Sequence, residues 1–546
     1  MIEAEMNREE LQMVLDTINS FAKRRLDTDF LLACDKEDRC PEEVIRELLG
    51  PEVGLHLAFI PTAYGGLGGG ATDIFQISET VAGIDLGIAT SLLGVSLGTD
   101  PIRVGGTPEQ KAKWMGKVAE EGLVVAYAVT EPSAGSDLAH IKTKATPVIE
   151  DGRTVAYKIS GNKQFITNGS IADLYTVLAV APGGPSFFVV ERGTPGLEPG
   201  PHEEKHGIRA SNTAPLSLDE VQVPVENLLG GVEGQGLRQA AMVFGYTRVM
   251  VASFGLGAGV AALERAIAYG KERFQGGSLL CEKPGWTHKL IVPHAVALEA
   301  ARAHIEMVAG RLDRGEDGLE VEGAIAKMTA TEAGNAAAEA AIQAHGGYGY
   351  MHAYEVEKIK RDVRITCIYE GTTEICQRSI AQDRWRHHLM SQGGFYKQRA
   401  TELEQVEVEA PGCGAALTAR TARALAEIME VSRQRRLTRN QHVLFTLGLL
   451  CARVEVAEAL ARKVASGDPG TSRLAPPVLA AASRVWARRV SQEVTGEGLA
   501  VLAGSGALGG QALHSFLELI AIDEIHQGLS GHLEDLDTIA QALFAD

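Results

Sequence analysis

The first 120 residues carry apolar side chains at the spacing of amphipathic helices. The pattern repeats over residues 42–49 and 75–84. The first such face consists of Leu11, Val14, Leu15, Ile18 and Phe21. Thr107 followed by Pro108 is typical of a helix start, with a capping hydroxyl before a first-turn proline. The pattern predicts a helical N-terminal domain over residues 1–120.

From residue 121 the chain changes to short apolar or alternating runs. Turn residues such as Ser160-Gly161-Asn162 separate these runs. The predicted strands cover residues 124–130, 154–159, 175–181, 187–190 and 216–223. They predict a small antiparallel β-domain over residues 121–235.

Helical composition returns from residue 236 to the end of the chain. Gly255, Gly257 and Gly259 allow helices to pack closely, and residues 236–395 are predicted to form a four-helix-bundle domain. An additional helical domain is predicted over residues 396–546, with a Pro/Gly-rich linker at residues 410–414. Its helices are expected near residues 415–431, 440–466, 476–499 and 511–545. The fold class is therefore α+β, with several domains.

Composition limits the partners and the compartment. The formal net charge of −18 argues against a nucleic-acid partner for the molecule as a whole. No apolar run reaches the about 18–20 residues of a membrane span, and the acidic start MIEAEMNREE predicts neither a signal nor a transit peptide. The seven cysteines lack a CxxC pair, which favours reduced thiols in a cytoplasmic protein over disulfides or a metal site.

Residues 343–380, QAHGGYGYMHAYEVEKIKRDVRITCIYEGTTEICQRSI, contain the most distinctive polar pattern. An Ala-rich helix over residues 324–344 is predicted to end at Gly346 and Gly347, which supply left-handed positions. A charged helix is predicted over residues 355–364.

Glu370 follows the apolar run 365–369 directly. Thr372 or Thr373 can cap the next helix, with Glu374 in its first turn. Apolar neighbours would desolvate the Glu370 carboxylate and raise its pKa, which suits a base that takes a proton from carbon. A solvated Glu before a helix is the alternative for an EGTT stretch taken alone.

Together, GGYGY, the Arg361-Asp362 pair and IYEGTTEI resemble the acyl-CoA dehydrogenase family. The resemblance implies that Glu370 removes the α-proton of an acyl-CoA thioester and that Gly371 contacts the substrate. The resemblance also implies that residues of this stretch hold FAD, in part the FAD of a neighbouring subunit. They are Gln343, Gly346, Gly347, Thr372 and Glu374.

The predicted β-domain carries further motifs of the same family. They are YAVTEPSAGSD, GNKQFITNGSIAD, KHGIRASNT and VQVPVENLLG. The resemblance implies FAD contacts from Tyr127, Val129, Thr130, Ser136, Phe165, Ile166 and Thr167. Ser136 is also implied to lie near the thioester. Phe165 stands where the family usually has Trp, so ring stacking is kept while the indole N–H is lost.

Arg273 is implied to contact the FAD pyrophosphate across a subunit interface, where a guanidinium makes bidentate bonds. Gly276 stands where the family commonly has Phe, so the adenosine packing differs. Some family members carry the catalytic Glu next to an Arg that corresponds to Arg248 here. In this chain the residue in that place is Thr247, so Glu370 is the predicted base. Arg248 is predicted to lie beside the substrate.

Three other features allow two interpretations each. The loop IPTAYGGLG, residues 60–68, resembles a family loop but also suits a plain connector. His345 and His352 are predicted to be packed or hydrogen-bonded rather than to act as acids. The arginines before the apolar run 443–450 suit a membrane surface or, as the favoured interpretation, a solvated face that pairs with the acidic body. They are Arg433, Arg435, Arg436 and Arg439.

The resemblance predicts an FAD-dependent acyl-CoA dehydrogenase of fatty-acid β-oxidation that forms trans-2-enoyl-CoA and passes electrons to an electron-transfer flavoprotein. Residues 396–546 resemble the extra helical domain of the very-long-chain branch, which implies a homodimer. An acyl-CoA oxidase and a non-catalytic assembly factor for a respiratory complex are the alternatives. The retention of Glu370 with the flavin loops favours catalysis.

Overall fold

The computed structural model describes residues 6–545, apart from the side chain of Tyr246. The first five residues of the acidic start therefore lie outside the described residues. The chain divides into two compact units. One unit contains the residues up to 258 with 309–320 and 361–365, and the other contains 259–308, 321–360 and the residues from 366 onward.

The first unit begins with helices, as predicted. They are α1 (Arg8–Arg25), α2 (Thr28–Lys36), α3 (Glu42–Leu49), α4 (Ala71–Ile84), α5 (Leu86–Gly105) and α6 (Pro108–Glu121). Asn7 and Glu10 form a reciprocal capping box at the start of α1. Thr107 caps α6 in the same way with Gln110. Local capping signals in the sequence thus fix where these helices begin.

Seven strands form one mixed sheet in this unit. They are β1 (Val125–Ala128), β2 (Lys144–Glu150), β3 (Arg153–Thr167), β4 (Leu174–Ala181), β5 (Gly184–Glu191), β6 (Leu197–Pro199) and β7 (Thr213–Pro224). Their order is β1-β4-β2-β3-β7-β6, with β5 paired to β4. The prediction of a purely antiparallel domain is wrong in detail, because β1 and β2 run parallel to β4.

The predicted turn at Ser160-Gly161-Asn162 is also wrong. These residues lie inside β3, at a register shift in its pairing with β7. A bulge absorbs the turn-forming residues because the neighbouring strand continues on both sides of them. β3 therefore runs without a break to the predicted flavin contacts at its end.

Helices and one short hairpin follow the sheet. They are α7 (Gly236–Glu272), β8 (Phe274–Gln275), β9 (Ser278–Leu279), α8 (Pro284–Trp286), α9 (Val292–Asp313), α10 (Glu320–His345), α11 (Glu355–Val363) and α12 (Thr373–Met390). The predicted close packing at the α7 glycines is confirmed. A Cβ on Gly259 would lie 2.6 Å from the Gly334 Cα, and one on Gly257 would lie 2.3 Å from the Glu79 carbonyl oxygen.

The C-terminal region is helical, as predicted. Its helices are α13 (Phe395–Glu409), α14 (Ala415–Gln434), α15 (Gln441–Ser466), α16 (Pro476–Gly504), α17 (Gln511–Leu519), α18 (Ile522–Gln527) and α19 (His532–Phe544). The single helix predicted over 511–545 is three helices, because Ala521 and Gly531 take left-handed φ angles of 51° and 77°. This class of fold, with helical ends and a small β-domain, is the predicted one.

Two further predictions can be followed in the structure. All seven cysteines are free thiols. Arg433 pairs with Glu430 at 2.6 Å, and Arg435, Arg436 and Arg439 are exposed. This arrangement suits the solvated interpretation of the basic cluster.

Within residues 6–545, α7 is the one helix long and apolar enough to cross a membrane, contrary to the sequence prediction. In its most apolar window, 83% is buried inside the protein. Such burial is typical of a helix that is apolar because it lies in a protein core.

Candidate active site

The turn at Glu370 has an unusual backbone. Glu370 and Gly371 have φ angles of 51° and 97°, and a left-handed position is costly for a residue other than glycine. Thr372 caps α12 by accepting a bond from the Ile375 amide at 3.3 Å. The buried Lys327 donates through Nζ to the Gly371 carbonyl oxygen at 2.6 Å. These contacts hold a half-buried carboxylate at the start of a helix.

The surroundings of Glu370 differ partly from the sequence interpretation. Lys327 was missed, although a lone lysine in the Ala-rich stretch of α10 is a usable signal. Glu374 lies exposed in the first turn of α12. The apolar shield expected from residues 365–369 is incomplete in a single chain, since Ile368 is 46% exposed.

The loop after β1 presents backbone amides and small side chains. Glu131 and Ala134 bond to each other through their backbones, and the Gln164 amide donates to the Thr130 carbonyl oxygen at 2.9 Å. The predicted flavin contacts in this part of the first unit are the buried Val129, the half-buried Tyr127 and Thr130, and the exposed Ser136. The loop thus has fixed ends and an open tip.

A buried ion pair holds this loop, and sequence analysis did not find it. Lys163 Nζ donates to Glu131 Oε1 at 2.9 Å and to the Val129 carbonyl oxygen at 3.0 Å. Burial lowers the pKa of Lys163 to about 8. Burial alone would raise the pKa of Glu131, but bonds from Thr143, Lys142 and Lys163 outweigh it and place that pKa below its usual range. Both groups stay charged, so each stabilises the other.

Phe165 directs its ring into solvent from the end of β3. Its φ angle is 59° and it is 65% exposed, whereas Ile166 is buried and Thr167 is half-buried. The register of β3 against β7 shifts between Lys163 and Ile166, and such bulges reorient side chains. An exposed aromatic ring on costly backbone is typical of a ligand contact.

Thr247 and Arg248 lie on α7 in the first unit. Thr247 is fully buried. Arg248 donates to the Glu320 carbonyl oxygen at 3.0 Å, while its buried Nε has no hydrogen-bond partner among the described residues. A buried donor of this kind is expected to find a partner in a bound molecule.

The second unit contains a cavity of about 560 Å³ beside Arg273. The guanidinium lies over the Tyr348 ring, 5.7 Å from its centroid. Gln343, Gly346 and Gly347 line the same cavity. The fold therefore brings together the residues predicted to hold a neighbouring subunit's FAD.

Two backbone details of this region refine the prediction. Gly346 is left-handed, with a φ angle of 61°, but Gly347 is not and lies in a 3-10 turn. Gly276 and Gly277 have φ angles of 59° and 89° and join β8 to β9. A two-residue hairpin turn needs such angles, so the Phe common in the family would be strained at position 276.

The two histidines are hydrogen-bonded, as predicted. His345 Nδ1 lies 2.7 Å from the Ala341 carbonyl oxygen, and its ring stacks on Tyr269 at 4.4 Å. Burial lowers the pKa of His345. His352 Nδ1 lies 2.8 Å from Glu357 Oε1.

These residues fit FAD. Phe165 offers a face to a flat ring, the loop after β1 offers amides and hydroxyls, and Arg273 offers a cation to phosphate. Among residues 6–545, no group of three His, Cys, Asp or Glu side chains is placed to hold a metal ion. The fold and these groups define an FAD-dependent oxidoreductase.

Family models match the chain in the same order. The "Acyl-CoA dehydrogenase, N-terminal domain" matches residues 8–122, and the "middle domain" matches 126–221. The "C-terminal domain" matches residues 234–385 and again 400–544. The chain belongs to the acyl-CoA dehydrogenase family, and the predicted family, enzyme class and FAD cofactor are confirmed.

Known proteins resemble the chain to different extents. The acyl-CoA dehydrogenase of Bacillus subtilis (strain 168) is 36% identical over 378 residues, which are 68% of this chain and 97% of the relative. The crystal structure of an acyl-CoA dehydrogenase complexed with FAD from Bacillus anthracis covers 100% of this chain and 98% of its own, with a TM-score of 0.85. At 24% identity this likeness concerns the fold alone.

A third match is a chain in the structure described as the electron transferring flavoprotein of Acidaminococcus fermentans. It is 32% identical, with a TM-score of 0.63, over 68% of this chain and 96% of that chain. Neither this match nor the Bacillus subtilis relative reaches the whole length of the present chain.

Proposed function

We propose that this protein oxidises acyl-CoA thioesters to trans-2-enoyl-CoA, with Glu370 as the base. The observation that carries the proposal is the backbone at Glu370 and Gly371. The Lys327 bond and the Thr372 cap hold this turn in place. The left-handed backbone at Glu370 costs free energy, which a side chain with no role beyond meeting solvent would not require. The family and its FAD support the class of reaction.

The reaction needs a positioned base and a polarised substrate. A thioester α-proton is a weak acid, so hydrogen bonds to the carbonyl oxygen must stabilise the charge that develops there. The Glu370 backbone amide is one such donor, and its carboxylate takes the α-proton. Bound FAD supplies the acceptor for the hydride from the β-carbon. Ser136 and Arg248 bind the thioester end of the substrate.

An electron-transfer flavoprotein receives the electrons in this proposal. The match to a chain in the Acidaminococcus fermentans structure, described as an electron transferring flavoprotein, supports that partner. The reaction belongs to fatty-acid β-oxidation in the cytoplasm.

Arg273→Ala is expected to weaken FAD binding. A hydrogen bond to a charged group contributes about 1.5–3 kcal/mol, which corresponds to about a 10- to 150-fold rise in the dissociation constant. FAD titration of the apoprotein by fluorescence measures it, and the exposed Arg435→Ala is the matched control. If Arg273→Ala bound FAD with wild-type affinity, the cavity would not be part of the flavin site.

The C-terminal extension, residues 396–546, plays the part of the extra domain of the very-long-chain branch. It packs on the bundle within one compact unit. Glu306 of α9 accepts bonds from the Thr471 amide at 2.7 Å and from Lys463. Glu299 of the same helix accepts a bond from Ser472 Oγ at 2.6 Å. This bundle surface is therefore covered by the chain itself and is closed to a second dimer.

A two-fold homodimer is the expected assembly, because Gln343 and Arg273 serve the FAD of a neighbouring subunit. Light scattering of the FAD-loaded protein tests this. A monomer that retains FAD would contradict the interface, whereas a tetramer would contradict only the role given to the extension.

A further inference from the structure

Trp286 forms part of the wall of the Arg273 cavity and comes from no family motif in the sequence. Its side chain lines the cavity with Arg273 and Gln343. The indole N–H donates to the Ala344 carbonyl oxygen at 3.3 Å, directly after Gln343. A Cβ on Gly270 would lie 2.4 Å from the Trp286 ring, so the ring fits against bare backbone of α7. Trp286 thus fixes the distance between α7 and the end of α10.

The last helix of the chain supports Trp286 from behind. The Phe544 ring packs against the indole with centroids 6.0 Å apart and the planes at 51°. Asp537 of α19 lies 3.2 Å from His288 Nε2. The Ala545 carbonyl oxygen accepts a bond from Lys271 Nζ at 2.9 Å, two residues before Arg273. Three contacts therefore join the C-terminus to this wall.

The helix that makes these contacts is anchored on its other side. Asp535 accepts a bond from Arg488 of α16 at 2.6 Å and another from Arg484 Nε at 3.0 Å. Arg488 also donates to the Ser530 carbonyl oxygen at 2.6 Å. A bidentate, partly buried cluster of this kind resists displacement of α19. Helix α16, in the body of the extension, therefore holds α19 in place, and α19 in turn supports Trp286 at the cavity.

The hairpin turn explains why this cavity needs another aromatic group. Gly276 occupies the place of the Phe common in the family, and its left-handed φ angle of 59° is costly for a residue other than glycine. Trp286, Tyr348 and Tyr269 are the tryptophan and tyrosine rings that line the cavity with Arg273 instead. Flat rings of this kind bind a purine by stacking.

We propose that α19 retains FAD by supporting Trp286, the residue that contacts the adenosine end of the cofactor in this cavity. Phe544 is then a positioning residue that acts through Trp286. The inference rests on the proposed flavin role of the Arg273 cavity. It gives the C-terminal extension a part in cofactor retention, beyond covering the bundle.

Full-length apoprotein carrying Phe544→Ala tests the inference. The FAD dissociation constant is expected to rise about three- to tenfold, which corresponds to the free energy that one aromatic pair contributes. The dissociation constant of ADP, which contains the adenosine and the two phosphates, should rise by the same factor. Phe544→Tyr keeps the ring and should restore both values. The visible spectrum of bound flavin should not change.

Leu533→Ala is the matched control, because Leu533 is 67% exposed on the same helix. Wild-type binding of FAD and ADP by Phe544→Ala would overturn the inference, as would an equal loss in Leu533→Ala or no rescue by Phe544→Tyr. Loss of the oligomer in Phe544→Ala, measured by light scattering, would also overturn it. If Arg273→Ala loses FAD while Phe544→Ala keeps it, the helix inference fails and the proposed function stands.

Discussion

Glu370→Gln is expected to bind FAD and acyl-CoA normally while reducing its flavin roughly 10²- to 10⁴-fold more slowly than wild type. Gln keeps the shape and polarity of the side chain but cannot accept the α-proton. Rapid anaerobic mixing with acyl-CoA, followed by flavin absorbance, measures the rate. Glu339→Gln is the matched control, since Glu339 is exposed on α10. A wild-type rate in Glu370→Gln would show that another group is the base.

A second variant tests the position of the base as well as its identity. Thr247→Glu, added to Glu370→Gln, places a carboxylate at the position where some other members of the acyl-CoA dehydrogenase family carry the catalytic Glu. Partial recovery of flavin reduction is expected. Recovery by Thr247→Gln as well would show that a carboxylate is not what restores the rate.

Glu455→Gln is expected to cause the largest loss of stability. Arg384 of α12 holds the Glu455 carboxylate of α15 through two bonds of 2.7 and 2.8 Å, and Tyr396 adds a third at 2.8 Å. Removing one member of a buried ion pair costs about 3–5 kcal/mol. Calorimetry should show a lower unfolding midpoint. Glu404→Gln, which breaks the exposed pair with Arg423, should cost about 0–1 kcal/mol.

The same pair predicts a pH dependence. Burial raises the pKa of Glu455, but Arg384 and Arg399 outweigh it and hold the pKa at about 2, below the usual 4.5. The folded state therefore gains stability from this carboxylate above pH 4.5 and loses it as the pH falls towards about 2. The gap between wild type and Glu455→Gln should close over this range. A constant gap would contradict the assignment.

Sequence alone predicted those parts of the molecule that depend on local signals. The Thr107 cap, the Thr372 cap and the left-handed Gly346 all follow from residues adjacent in the chain. The predictions of the flavin contacts and of Glu370 as the base rest on long ordered patterns, which are specific even where each piece is weak.

Features that depend on distant residues were missed. The parallel pairing of β1 with β4 and the bulge at Gly161 depend on strands elsewhere in the sheet. The contact of Trp286 with Phe544 joins residues far apart in the chain, and no local pattern indicates it. The ion pair of Lys163 and Glu131 was not predicted, because only the fold shows that both are buried.

Product analysis after a single anaerobic turnover tests the central claim most directly. Wild-type protein is mixed with acyl-CoA thioesters of several chain lengths, and the flavin spectrum and the CoA products are followed together. At least one thioester should bleach the flavin and yield one trans-2-enoyl-CoA per flavin reduced. Fully loaded FAD that stays oxidised with every acyl-CoA tested, with the thioesters recovered unchanged, would contradict the account.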